Sequence, residues 1–136
     1  MPRYMLDTDI CSHVMKRSNA GVLRRLARTP INDVAISVVT KSELLFGVEM
    51  SARRAHDEAA ADSFLRHVAV LDFPDDAAAH YADIRAHLTR RGELIGANDL
   101  FIAAHARCLD LVLVTNKTRE FGRVRKLKVE NWADAG

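Results

Sequence analysis

Four short apolar runs recur along the chain, and each is followed almost at once by a stretch with helical spacing. The runs lie at residues 3–6, 34–39, 68–71 and 111–114. The run at 34–39 is rich in β-branched residues, as expected of a strand buried on both faces. Parallel strands cannot be joined by tight turns, so helices must carry the chain from one to the next. The alternation therefore predicts an α/β fold: a mostly parallel central sheet of four or five strands in an α/β/α arrangement. Residues 128–129 are the candidate fifth strand, at an edge.

The helices read from periodicity fill the gaps. One starts near Thr8 or Asp9. Residues 21–28 carry Val22, Leu23, Leu26 and Ala27 at helical spacing and are closed by Pro30. Residues 40–50 point Leu44, Val48 and one of Leu45 or Phe46 inward, and 53–67 form a polar, alanine-rich helix marked by Ala60, Phe64 and Leu65. Pro74 opens a helix with the stripe Ala77, Tyr81, Ile84, Leu88, and Gly92 stops it. Residues 98–109 are apolar nearly all round, so that helix is expected to be buried. With 136 residues and no repeat or linker, the chain reads as one domain, 1–136.

Composition removes several classes. Three prolines and six glycines exclude low-complexity and collagen-like chains. Cys11 and Cys108 are too far apart in sequence for a metal or redox pair, which suits a reduced, cytoplasmic protein. No secretory-type stretch appears at the start, and no apolar run approaches the roughly 18 residues of a membrane helix. The net charge is only +2, but residues 117–128 hold six basic residues (Lys117, Arg119, Arg123, Arg125, Lys126, Lys128) against one acid, Glu120. Such a run is either a solvated face or a place where a polyanion approaches.

Three acids sit where packing normally avoids charge. Asp7 ends the first apolar run, Glu43 precedes the pair Leu44-Leu45, and Asp99 opens the most apolar helix. In open parallel sheets, ligands bind beyond the carboxyl ends of the strands, where Asp7 and the segment Thr115-Asn116 are expected. Acids that converge there repel unless a proton or a cation lies between them. An oxygen-only donor set, without a cysteine or histidine cluster, suits Mg²⁺ or Mn²⁺. Each acid also has a structural explanation. Thr40 to Glu43 matches a capping box. Asn98-Asp99 matches a helix N-cap followed by an acid that the helix dipole favours. Asp7 with Thr8 could cap the first helix. Ser37 and Thr40 could cap or orient a carboxylate, and Thr115 is a further candidate for the site. His105 falls about 600° round the helix from Asp99, which points it elsewhere. His80 and His87 lack the spacing of a zinc pair. No Walker loop, G-x-G-x-x-G or Ser-His-Asp order occurs.

Four segments carry a resemblance. They are Tyr4-Met5-Leu6-Asp7-Thr8-Asp9-Ile10-Cys11, Ser37-Val38-Val39-Thr40-Lys41-Ser42-Glu43-Leu44-Leu45-Phe46-Gly47, Gly96-Ala97-Asn98-Asp99-Leu100-Phe101-Ile102-Ala103-Ala104-His105-Ala106 and Val114-Thr115-Asn116-Lys117-Thr118-Arg119-Glu120-Phe121. In this order they resemble the four motifs of PIN-domain nucleases, and specifically the VapC toxin branch of type II toxin–antitoxin systems. The closing stretch from Phe121 to Glu130-Asn131-Trp132 is similar too. The resemblance implies a Mg²⁺- or Mn²⁺-dependent endoribonuclease cutting structured RNA, tRNA or rRNA. It also implies a VapB-like antitoxin and a homodimer. By the same resemblance Asp7, Glu43 and Asp99 are catalytic and metal-holding. The fourth acidic position departs from the pattern: Asn116 stands where an Asp is common, and Glu120 is the next acid. Asp9 stands where an Asn is common. Lys117, Arg119, Arg123 and Arg125 are the candidates for holding RNA phosphates. Two other functions compete: a non-catalytic metal-binding interaction module, and a DNA-directed nuclease with the same acids.

Overall fold

All four apolar runs become strands in the computed structural model, which describes residues 1–134. The domain expected over 1–136 extends beyond these described residues. The elements follow in the order β1 (Tyr4–Leu6), α1 (Thr8–Lys16), α2 (Ala20–Ala27), a 3-10 turn (Ile31–Asp33), β2 (Val34–Ser37) and α3 (Val38–Glu49). Then come α4 (Arg54–His67), β3 (Ala69–Leu71), α5 (Ala77–Arg90), α6 (Ala97–Cys108), β4 (Val112–Val114), α7 (Thr118–Phe121) and β5 (Val129–Glu130). The expected edge strand is β5.

The five strands form one sheet in the order β3-β2-β1-β4-β5, and every pairing is parallel. Side chains alternate across it. Tyr4 and Leu6 of β1 join Val34, Ile36 and Val114 in a core closed by Ile10, Cys11, Val22 and Leu44. Met5 and Leu113 point the other way, into a core built with Ile84 and Leu88 of α5 and Leu100 and Ile102 of α6. Each such side chain contributes roughly 1.5–3 kcal/mol by leaving water. Two cores on one sheet make the α/β/α sandwich that the alternation predicted.

Local chemistry moves several boundaries. The second apolar run does not stay a strand to residue 39. Ser37 takes non-helical angles and its hydroxyl accepts the Val39 N–H at 3.1 Å, so α3 begins at Val38. Within α3 the inward residues are Thr40, Leu44 and Val48, four apart on one face. Neither Leu45 nor Phe46 turns in. They are 42% and 66% exposed, with Met50 at 71% beside them. In α4 the buried alanine is Ala61, not Ala60, and Phe64 and Leu65 are half-buried. α5 ends as expected at Gly92, whose φ of 65° is reached readily only by glycine. The start of the basic run folds as the single turn α7, anchored by the buried Phe121, and the rest runs through turns to β5. Cys11 and Cys108 are both free thiols. No helix among the described residues is long and apolar enough to cross a membrane.

Candidate active site

The chain steps from β1 to β2 on one side and places β4 on the other, so the direction of winding reverses between β1 and β4. A crevice opens at such a switch point beyond the carboxyl ends of the strands. Asp7 follows β1 there, and Thr115 follows β4. The Asp7 N–H donates to the Val114 carbonyl at 3.0 Å, which ties the two strand ends together.

Asp7 caps α1: its Oδ1 accepts the Ile10 N–H at 2.9 Å. Its Oδ2 accepts the Thr115 hydroxyl at 2.5 Å. The capping explanation is therefore correct for this acid without accounting for its burial, since Asp7 is only 2% exposed. Burial pushes its pKa up to about 6, against the pull of these two hydrogen bonds.

For Glu43 the capping explanation fails, and for Asp99 only its second half holds, since Asp99 lies in the first turn of α6 where the helix dipole favours an acid. Glu43 lies in the second turn of α3, because Ser37 and not Thr40 is the N-cap. Its carboxylate instead reaches across to other helices. Thr8 Oγ1 donates to Oε1 at 2.5 Å, and Asn98 Nδ2 donates to Oε2 at 3.3 Å. Thr8 adjoins Asp7 and Asn98 adjoins Asp99, so Glu43 joins the starts of α1 and α6. Asp99 makes no cap either; Gly96 is the N-cap of α6 and no side chain bonds the first turn. Asp99 is partly buried and faces Lys117, whose Nζ lies 3.3 Å from its Oδ2. Burial raises the Asp99 pKa, Lys117 pulls it down, and Glu43 and Asp9 push it up.

Asp7, Glu43, Asp99 and Asp9 thus share one electrostatic neighbourhood. Lys117 Nζ is also 3.8 Å from Asp9 Oδ2. Burial alone would lower the pKa of this ammonium, but Asp99, Asp9 and Asp7 outweigh it and hold it above the usual range. Among the described residues, no three His, Cys, Asp or Glu side chains already converge as a ready-made metal cage. The donor set is nevertheless all oxygen, and it already accommodates one positive charge. Both points fit a hard divalent cation rather than zinc.

The remaining candidates disperse. Asn116 is exposed and Glu120 half-buried on α7; neither touches the three acids through a hydrogen bond or ion pair among the described residues. Four members of the basic run have acidic partners: Lys117 as above, Arg123 with Glu93 at 3.8 Å, Arg125 with Asp83 at 3.2 Å and Lys128 with Asp110 at 3.0 Å. Arg119 is exposed. His105 does point elsewhere: it is fully buried, with Nδ1 2.8 Å from Ser37 Oγ, and burial lowers its pKa. His80 Nδ1 accepts from Arg107 Nε at 2.9 Å, which explains it without a metal.

Sequence reasoning missed Thr8 and Asn98 as the groups that aim Glu43, although each stands next to one of the flagged acids. A cleft of about 690 Å³ opens beside them, lined by Glu43, Thr8 and Asn98 and by Phe46, Phe73 and Phe101.

Comparison with known proteins agrees with this geometry. The PIN domain family model matches residues 4–127. Ribonuclease VapC2 of Haemophilus influenzae is 42% identical over 132 residues, spanning 97% of this chain and 99% of that one. The tRNA(fMet)-specific endonuclease VapC of Shigella flexneri is 41% identical over 133 residues, spanning 98% and 100%. The crystal structure of DNA-bound VapBC from Salmonella typhimurium superimposes with a TM-score of 0.91 at 35% identity, covering 98% of this chain and all of its counterpart. The switch-point acids, the all-parallel sheet and this similarity along nearly the whole length have one reading: the chain belongs to the PIN-domain family, in its branch of VapC nucleases.

Proposed function

We propose that this chain is the toxin of a VapBC pair, an endoribonuclease that needs Mg²⁺ or Mn²⁺ and cuts a structured RNA, with tRNA(fMet) as the first candidate. The carrying observation is the set of three acids at the switch point, Asp7, Glu43 and Asp99, held by residues of α1, of α6 and of the stretch after β4. The substrate class is supported by the Shigella relative, which is a tRNA(fMet)-specific endonuclease.

In this reading Asp7 and Asp99 hold the ion. When bound, the ion supplies positive charge that offsets the charge developing on the scissile phosphate. Glu43 has its two oxygens fixed by Thr8 and Asn98, so it is aimed to take a proton from the attacking water. Attack by water makes the 2′-OH of the RNA unnecessary as nucleophile. Thr115 holds Asp7 in place. Asn116 and Glu120, which bond none of the three acids, take no part in holding the ion, and Arg119, exposed and without an acidic partner among the described residues, is the basic residue of this edge best placed to meet phosphate.

The partner is a VapB-like antitoxin, as in the solved VapBC complexes that this chain resembles. The exposed apolar row Leu45 and Phe46 on α3 with Met50 at its C-cap suits the homodimer contact or the antitoxin.

The test is direct. Purified chain is incubated with end-labelled tRNA(fMet), with Mg²⁺ or with EDTA, alongside single-stranded DNA of similar length. Discrete RNA cleavage in Mg²⁺ alone is expected, and it is suppressed by a co-expressed VapB-like protein. Cleavage of the DNA instead, or of neither, overturns the proposal.

A further inference from the structure

Three features separate Lys117 from the rest of the basic run. Its backbone N–H donates to Thr115 Oγ1 at 2.9 Å, and that same hydroxyl donates to Asp7. The root of the side chain is therefore fixed at the site. Its ammonium lies 3.3 Å from Asp99 Oδ2 and 3.8 Å from Asp9 Oδ2. Its side chain is 39% exposed, whereas that of Asp99 is 17% exposed, so the cation reaches inward from the rim. Three acids (Asp99, Asp9 and Asp7) share this one positive charge, and Glu43 acts on Asp99 beside them.

We propose that Lys117 is a tethered counter-ion: its ammonium fills the acidic crevice in the metal-free protein and must leave before a divalent cation can bind. The inference rests on the metal-dependent reading above. The physical reason is simple exclusion. Asp99 Oδ2 cannot serve both cations from one position, and a divalent ion beside the ammonium repels it twice as strongly as a monovalent one would. Without metal, the ammonium offsets carboxylates that would otherwise repel one another across the switch point. With metal, it competes, so the site loads at a higher metal concentration than the acids alone would require. The two cations are coupled ligands of one site, and coupling acts both ways.

The experiment uses the full chain without RNA. Mn²⁺ binding is followed by electron paramagnetic resonance, and melting is followed in EDTA and in Mn²⁺. Lys117→Met is expected to bind Mn²⁺ about tenfold more tightly than wild type, and to melt at a lower temperature in EDTA. Its gain in melting temperature on adding Mn²⁺ should be larger. Lys117→Arg, which keeps a cation there, should stay near wild type. Arg119→Met removes the same charge two residues along and should leave the Mn²⁺ affinity within twofold of wild type.

An affinity of Lys117→Met within twofold of wild type overturns the inference. So does an equal tightening by Arg119→Met, which would make the effect one of overall charge, and so does an unchanged melting temperature in EDTA. If wild type binds no Mn²⁺, or Asp99→Asn still binds it fully, the metal reading itself falls and takes the inference with it. If Asp99→Asn abolishes binding but Lys117→Met changes nothing, only the counter-ion falls.

Discussion

On the outer face of α5 and α6, Asp83 lies 2.9 Å from Arg107 and 3.2 Å from Arg125. The Arg107 hydrogen bond, aided by both guanidinium charges, holds its pKa below the usual carboxylate range. At the switch point Asp7 and Asp99 show the opposite displacement, upward, and burial is the largest cause for each. The residue type is the same in both places; the ratio of charges and the access of water differ. Two arginines serve one exposed acid on the outer face, and one lysine serves three acids in the crevice. The outer cluster is a surface ion-pair network worth little to the fold. The crevice holds acids in a form that costs stability, which a fold retains where the site does chemistry.

The largest expected effect comes from breaking the crevice while sparing the outer face. Asp99→Asn should lower the rate of tRNA(fMet) cleavage by about a thousandfold, the equivalent of roughly 4 kcal/mol of lost transition-state stabilisation. Asp83→Asn should leave that rate within twofold. Equal loss in both would mean that the two clusters do not differ in role, and retained activity in Asp99→Asn would remove the acid from the mechanism.

A second expectation follows from the pKa of Asp7. In the unfolded chain this carboxyl titrates near 3.8, and in the folded protein near 6. Between these values the folded state keeps a proton that the unfolded state has released, so stability falls as pH rises through 6. The displacement is on the order of 3 kcal/mol. Asp7→Asn lacks this penalty. In EDTA, its stability relative to wild type should climb by up to that amount between pH 4 and pH 7, as read by urea denaturation at each pH. A difference that stays flat with pH would show that burial does not set this pKa.

The smallest effect belongs to the outer cluster. Asp83 has a lowered pKa, so its contribution is present above the unfolded value and is lost as pH falls through the folded one. Asp83→Asn should cost only about 0–1 kcal/mol at neutral pH, and added salt should shrink that cost further. A large, salt-insensitive loss would show that Arg107, whose side chain is only 10% exposed, depends on Asp83 as a buried partner.

The acids of the crevice were legible in the sequence because each interrupts an apolar run, and an apolar run tolerates charge only for a reason. The strand–helix alternation was legible for the same cause: period and apolarity survive in one dimension. What failed were readings that depend on contacts between distant segments. Residues 117–128 look like an open basic strip, yet Lys117 finds Asp99 18 positions away and Arg125 finds Asp83 42 positions away. Charge counted along the chain does not register cancellation across it. The start of α3 was misplaced because Ser37 ends a strand and begins a helix in one residue, leaving no loop to mark the change. Leu45 and Phe46 looked like core residues by type. Their exposure follows from where Thr40 sets the helix phase, and Thr40 is polar, so hydrophobicity alone did not reveal it.

The hydrogen bond between Thr115 and Asp7 spans 108 positions. Translation therefore makes Asp7 well before its partner Thr115. Glu43 emerges early, Asp99 arrives only with α6, and β4 must then slot beside β1 before the crevice has its second wall. The crevice therefore assembles late: a chain that stops before β4 holds Asp7 and Glu43 but lacks the Thr115 hydroxyl that fixes Asp7.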